Sequence, residues 1–160
     1  MKIKGSADAE QYLAHQHEND SSWVMNDVTH NGQGGKKETI PPASGDPRGT
    51  NKTPDWLPSN PNALGTTGTA RECVWTHDLT TDYFRKSANG HKYWQLKGMA
   101  EWAAKGGRSA ELHIPGNISD SEIADDIRNM SGLSIIRDLP EIKKDSSYES
   151  VDKVDDWTHP

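Results

Sequence analysis

Apolar positions recur most regularly in the second half of the chain. Leu96, Met99, Ala100 and Ala103 fall at i, i+3, i+4 and i+7, the spacing of one helix face. This predicts a helix over 93–105, with Glu101 and Lys105 as a favourable i, i+4 pair and Gly106-Gly107 as its stop. Ala110, Leu112 and Ile114 then alternate with polar residues, which predicts a strand over 109–114 closed by Pro115-Gly116. Ser119-Asp120-Ser121-Glu122 has the form of a capping box, and Ile123, Ile127 and Met130 give a helix over 120–131 its buried face. Gly132 ends that helix, and the apolar run after it predicts a strand over 133–138. The stretch from 109 to 137 therefore reads as a strand–helix–strand unit, with a right-handed crossover if its strands are parallel. Leu96, Met99, Leu112, Ile114, Ile123, Ile127 and Ile135 are the expected core.

The first half is less regular. Residues 6–18 read as a helix, with Ser6 placed to cap it, Asp8 and Glu10 at its positive end, and a short apolar face of Ala9, Tyr12 and Leu13. Ser22-Trp23-Val24-Met25 is a short strand candidate. Residues 31–70 hold seven glycines and six prolines, a density that predicts a long irregular loop, the most mobile part of the chain unless Trp56 docks. Ile40, Trp56, Leu57 and Leu64 are its apolar anchors, and Trp56 is the candidate for an exposed one. In 71–86, Cys73, Trp75, His77 and Leu79 alternate while other residues fit a helix imperfectly; the threonines and aromatics favour a strand. Residues 141–160 read as an acidic, frayed tail in which Trp157 alone could dock.

These elements add up to a single α+β domain over 1–160. A small sheet is packed by two or three helices, and a long Pro/Gly-rich N-terminal loop wraps it. Composition narrows this further. Hydrophobic residues make up 31% of the chain, so the core is modest, and the six tryptophans supply much of its area. The single cysteine, Cys73, rules out an intramolecular disulfide. No apolar run has the length of a signal peptide or a membrane span, which predicts a cytoplasmic protein with no membrane partner. Export by a route without a cleaved signal would leave no mark to read. The net charge of −6 is unevenly spread: net −2 over 1–65, +2 over 66–116 and −6 over 117–160. A polyanion would be repelled by the tail and tolerated by the middle.

The middle segment also holds the candidate chemistry. Gly32-Gln33-Gly34-Gly35-Lys36-Lys37 is glycine-rich and basic but lacks the spacing of a phosphate-binding loop. His15 and His17 would point to different faces of a helix, and no His-Glu-x-x-His or Cys-x-x-Cys spacing occurs, so neither metal nor cofactor is expected. His77, His91 and His113 lie close in sequence to Arg85, Lys86 and Lys92. Two imidazoles and one cation can cleave RNA without metal: one ring takes the 2′-hydroxyl proton, the other protonates the leaving oxygen, and the cation stabilises the phosphorane. The first reading is therefore a small, effector-type, metal-independent hydrolase acting on RNA. His113, His77 and His91 would do acid–base work, with Lys92 or Arg85 as the cation and Trp75, Tyr93 and Trp94 available to stack bases. His113 is the strongest single candidate, because it faces away from Leu112 and Ile114 at a strand end beside a turn.

Two other readings stand beside it. The chain could be a non-catalytic binding or inhibitor protein that presents Trp56 and an acidic surface to a protein partner. It could also be a Cys-His peptidase or amidase that uses Cys73, His113 and an orienting Asn117 or Asp120.

Overall fold

A computed structural model describes residues 1–27, 37–80, 84, 87–145 and 147–155. Its centre is a parallel sheet of β1 (Thr69–Cys73), β2 (Ser109–Pro115) and β3 (Leu133–Leu139), in the order β1-β2-β3. The long helix α2 (Ser87–Ala104) makes the crossover from β1 to β2 and packs on all three strands. It buries Leu96, Met99, Ala100 and Ala103, the row its spacing predicts. Helix α1 (Ser6–Gln16) buries Ala9 and Leu13 and contacts β1 and β3. The result is the expected α+β fold: a small sheet with helices packed on it.

Three expectations need correction. First, 120–131 is not one helix. The capping box forms, with Ser119 N–H donating to Glu122 Oε1 at 3.1 Å, but it closes a single 3₁₀ turn, Asp120–Glu122. Ile123 then turns extended and bridges to Leu79, and the helix resumes only as the short α3 (Asp125–Arg128). Ile123 is buried through that bridge, which a continuous helix would not allow.

Second, the described part of the 31–70 stretch is ordered into the body. Ile40 and Lys52 pair across an antiparallel bridge, and Trp56 bridges both Met25 and Arg71. Two single antiparallel bridges thus continue the sheet outward from β1. The buried Asn26 side chain donates to Pro54 O at 2.8 Å and Glu38 O at 2.9 Å, and accepts from Glu38 N–H at 2.8 Å. Lys52 and Asp46 form an ion pair at 2.8 Å whose side chains are closed off from water. Trp56 is 1% exposed and belongs to the core, not to the surface. Residues 31–36 lie outside the described residues.

Third, the tail is docked. Ile142 and Ser150 are buried and bridge one another, and Ser150 N–H donates to Ile3 O at 2.8 Å. Val154 N–H reaches Met1 O at 2.7 Å. The chain's first residues therefore anchor residues 141–155, while Trp157 lies outside the described residues. Ile135 is half-buried; the other six expected core residues are buried. Among the described residues no helix is long and apolar enough to cross a membrane.

Candidate active site

The bridge between Trp56 and Arg71 sets the geometry of the site. Strand residues alternate between faces, so this pairing puts Trp56 and Arg71 on one face and Asp55 and Glu72 together on the other. The second pair faces α2, from which Gln95 Nε2 donates to Glu72 Oε2 at 3.0 Å and Lys92 Nζ forms a close ion pair with the same oxygen. Backbone amides complete the arrangement. Asp55 N–H donates to Glu72 Oε1 at 3.0 Å, and Cys73 N–H donates to Asp55 Oδ2 at 3.0 Å. Beside these groups a cleft of about 220 Å³ opens at the carboxyl end of β1, with Glu10 of α1 on its rim. The carboxyl end of a parallel strand, next to the first turns of the following helix, is where α/β sheets place their ligands.

The electrostatics of this cleft are unbalanced. Three carboxyl groups, Glu10, Asp55 and Glu72, line it with one ammonium, Lys92. Burial, then the neighbouring Glu72 and Glu10 charges, push the Asp55 carboxyl well above the usual carboxylate range. Glu72 accepts from the Asp55 amide, and its carboxyl group crowds that of Asp55. Burial and Glu72 also raise Glu10, opposed by the fields of Lys37 and Lys92. Crowded carboxyls with perturbed protonation in a cleft are a mark of a reactive site. Among the described residues no three His, Cys, Asp or Glu side chains are arranged to hold a metal ion by themselves.

The imidazoles singled out in the sequence stand in separate surroundings. His113 is 2% exposed on the opposite face of β2. Its Nδ1 meets Asp138 at 2.8 Å and its Nε2 meets Glu111 at 3.0 Å. Burial alone would lower its pKa; the hydrogen bonds to Asp138 and Glu111 outweigh that and raise it. Arg71 Nε donates to Glu111 at 2.9 Å, and the Arg71 guanidinium lies 4.0 Å from the Trp23 ring centre. The Trp23 ring stands edge-on to His113 at 5.3 Å. With both nitrogens bonded to carboxylates, the buried ring has no lone pair to offer a substrate and no open path to one. The position expected to be open is roofed.

His77 stacks loosely against Tyr148, with ring centres 5.2 Å apart. His91 sits on α2 next to Lys92 and faces the strap that carries Arg48 and Lys52. No described hydrogen bond or ring contact joins any two of these three histidines. Arg85 and Lys86 lie outside the described residues. Of the described residues of the RNA-cleaving reading, Lys92 reaches the cleft, and it does so beside carboxylates.

Cys73 is the register partner of His113 and also lines the cleft. Burial, then Asp55, Glu72 and Glu10, push its thiol well above the ordinary range. A nucleophile needs the opposite shift. Asn117 uses its side chain on the backbone of Ile142, and Asp120 pairs with Arg137, so neither orients the His113 ring. Comparison with protein-family models, with curated proteins and with solved structures finds no match.

Proposed function

We propose that the chain is a nuclease that hydrolyses phosphodiesters at the Glu10–Asp55–Glu72–Lys92 cleft. This keeps the hydrolase class expected from the sequence and moves the chemistry from imidazoles to carboxylates. The observation that carries it is the crowded Asp55–Glu72 carboxyl pair, joined through the Asp55 amide and flanked by Lys92 in a cleft.

The substrate class follows from the surrounding charge. Lys92 lines the cleft and Lys37 acts on Glu10 from the end of the basic glycine-rich segment, so cations flank the carboxyls on two sides. Yet a phosphodiester cannot approach ionised carboxylates without a charge between them. A divalent cation held by these carboxylates would supply that charge. Mg²⁺ is commonly held by one or two carboxylates plus substrate phosphate oxygens, so a complete protein cage is not required. Asp55 and Glu72 offer the hard oxygen donors it prefers. Such an ion, held by Asp55 and Glu72, would supply Lewis acidity for hydrolysis of a phosphodiester by water. Lys92 holds Glu72 in place and adds positive charge where the phosphorane develops. Water is then the nucleophile, so no 2′-hydroxyl is needed and both DNA and RNA are substrates.

The test is cleavage of DNA and RNA oligonucleotides by the purified protein with Mg²⁺ or with EDTA. Cleavage is expected with Mg²⁺ and not with EDTA, and Glu72→Gln is expected to abolish it. Failure to cut either nucleic acid with Mg²⁺ or Mn²⁺ would overturn the reading. Cleavage undiminished by EDTA would restore metal-free acid–base chemistry and remove the cation.

A further inference from the structure

We infer that a second cavity, at the C-terminal half of α2, binds a small aromatic carboxylate independently of the proposed nuclease cleft, with which it shares no lining residue. Pro41 and Pro42 of the strap form one wall, and Gly98 and Trp102 of α2 the other. Gly98 explains why the two come so close: a Cβ there would stand 3.4 Å from Pro41 O and 3.5 Å from Ala43 N. Glycine weakens a helix interior, and here it admits the strap. The cavity holds about 230 Å³. A void of about 150 Å³ takes a benzene, so a ring carrying one carboxylate fits.

The charged lining is cationic on balance. Lys105 and Arg108 face one carboxylate, Glu101. Glu101 is taken: its Oε2 accepts from the Ser44 amide at 2.9 Å and its Oε1 from the Ser44 hydroxyl. Among the described residues Lys105 forms no ion pair. The carbonyl end of α2 adds a partial negative charge of about half a unit. Two cations outweigh one carboxylate and that half charge. Arg108 is also fixed in position. Its Nε donates to Trp102 O at 3.1 Å and its Nη1 to Pro61 O at 2.6 Å, and its guanidinium lies 4.3 Å from the Trp102 ring centre. It folds back over Gly106, where a Cβ would stand 3.0 Å from Nε. Capping the helix needs only the Nε bond. Carbonyls accept without neutralising, so the charge remains, and the Nη2 hydrogens have no acceptor among the described residues. A carboxylate is the planar acceptor that a guanidinium fork matches. The ring attached to it would lie against the prolines and bury apolar surface.

The experiment follows the indole N–H of Trp102 by NMR as benzoate, benzamide or inorganic phosphate is added to the full chain. Trp102 Nε1–H donates to Pro61 O at 2.9 Å, the acceptor it shares with Arg108, so it reports on the cavity directly. Benzoate is expected to shift it saturably with Kd on the order of 1 mM, and to leave the Cys73 amide of the cleft unmoved. Benzamide and phosphate each lack one half of the ligand. Both are expected to bind at least about tenfold more weakly, the worth of one charged hydrogen bond or one buried ring. Lys105→Glu, at an exposed position, should weaken benzoate by a similar factor with an unchanged melt, and Arg108→Gln should weaken it further. No saturable shift by benzoate, equal affinity for benzamide or phosphate, or full affinity in either variant would overturn the site. Should Arg108→Gln fail to fold, Lys105→Glu decides alone.

Discussion

Two buried ionisable clusters share this small sheet, and they differ in how their charges are balanced. On one face, Arg71 and His113 meet Glu111 and Asp138, two cations against two anions, and Trp23 covers them. Two of its members shift toward their charged forms: Glu111 is lowered, first by its hydrogen bond to His113, and His113 is raised. At the carboxyl end of β1, three carboxyls meet one lysine and the cleft is open. Asp55 and Glu10 there shift toward their neutral forms. The first cluster has satisfied its own chemistry and holds the structure together. The second has not, and its charge imbalance lies open in a cleft. The presence of a histidine, a carboxylate and an arginine in contact does not separate structural from functional roles; the residual charge and the access do.

Reciprocal substitutions offer the largest test of that contrast. Asp55→Asn should lower the cleavage rate by about 10²–10⁴-fold, the span of a lost acid–base or ligand group. Its stability should hold or rise, because a crowded carboxyl is removed. His113→Ala should do the reverse. It removes two charge-assisted hydrogen bonds from the half-buried Glu111 and the exposed Asp138, at a cost of about 1–3 kcal/mol, while the folded fraction keeps its cleavage rate. Denaturant melts and initial rates on the same two proteins check both halves. A His113→Ala protein that is stable and inactive would exchange the roles of the two clusters.

The strap joins the clusters, and the next test falls on it. Consecutive residues serve opposite faces: Asp55 reaches the cleft, and Trp56 packs edge-on against Trp23 at 5.4 Å, over the closed cluster. Trp56→Ala should cost about 3–5 kcal/mol, read from a denaturant melt. Amide exchange should be slow at Ile40, Lys52, Trp56 and Leu57, which donate bridging or inter-segment bonds. A small stability loss with fast exchange would detach the strap and leave Asp55 without a fixed position.

That strap also marks where the sequence stops being readable. The α2 face, β2 and β3 are legible because Leu96, Met99, Leu112 and Ile114 repeat with the period of their element. Residues 37–57 have no period, because single bridges and the Asn26 clamp hold them in place of a ladder. Glycine and proline density there reports irregular backbone, and irregular backbone can still be buried. The site was hidden for the same reason. Glu10, Asp55 and Glu72 are far apart in sequence and sit in no motif, and only the Trp56–Arg71 bridge brings the last two face to face. The available signal was slight: Asp55 stands beside the apolar Trp56-Leu57, and Glu72 interrupts a strand whose neighbours are buried. Histidines drew attention through their usual chemistry, yet His113 spends its chemistry on Asp138 and Glu111.

The pH dependence of stability gives a smaller and more selective test. Asp55 and His113 both have a folded pKa above the unfolded one, so each stabilises the fold below its ordinary pKa. Each contribution is lost as pH rises through the folded value. For Asp55 the loss begins near its ordinary pKa of about 4, and for His113 near about 6.5. Relative to wild type, Asp55→Asn should therefore gain stability progressively from mildly acidic pH upward. His113→Gln should show its largest deficit below pH about 6.5, one that shrinks as pH rises from there to the folded pKa and is flat above it. Thermal melts across pH 4–9 check both, and parallel curves for variant and wild type would remove the shifted protonation from the comparison.

Cys73 gives the smallest expected effect and tests the boundary between the clusters, because it belongs to both. Its register partner is His113, and its backbone N–H holds Asp55. Were the thiol a nucleophile, removing it would end all activity. The structure surrounds it instead with groups that oppose ionisation: burial first, then three carboxyls. The contact that matters to Asp55 comes from the Cys73 amide, which alanine retains. Cys73→Ala should therefore leave cleavage within about twofold of wild type, since no group needed for proton transfer is lost. The melt should show a loss of about 0.5–1.5 kcal/mol, that of one small buried group. Alkylation of the native protein by iodoacetamide should be slow and should accelerate on unfolding, as expected for a thiol held neutral and shielded. Rapid native alkylation that destroys cleavage would make the cysteine the reacting group, and the carboxyls around it would then need a different role.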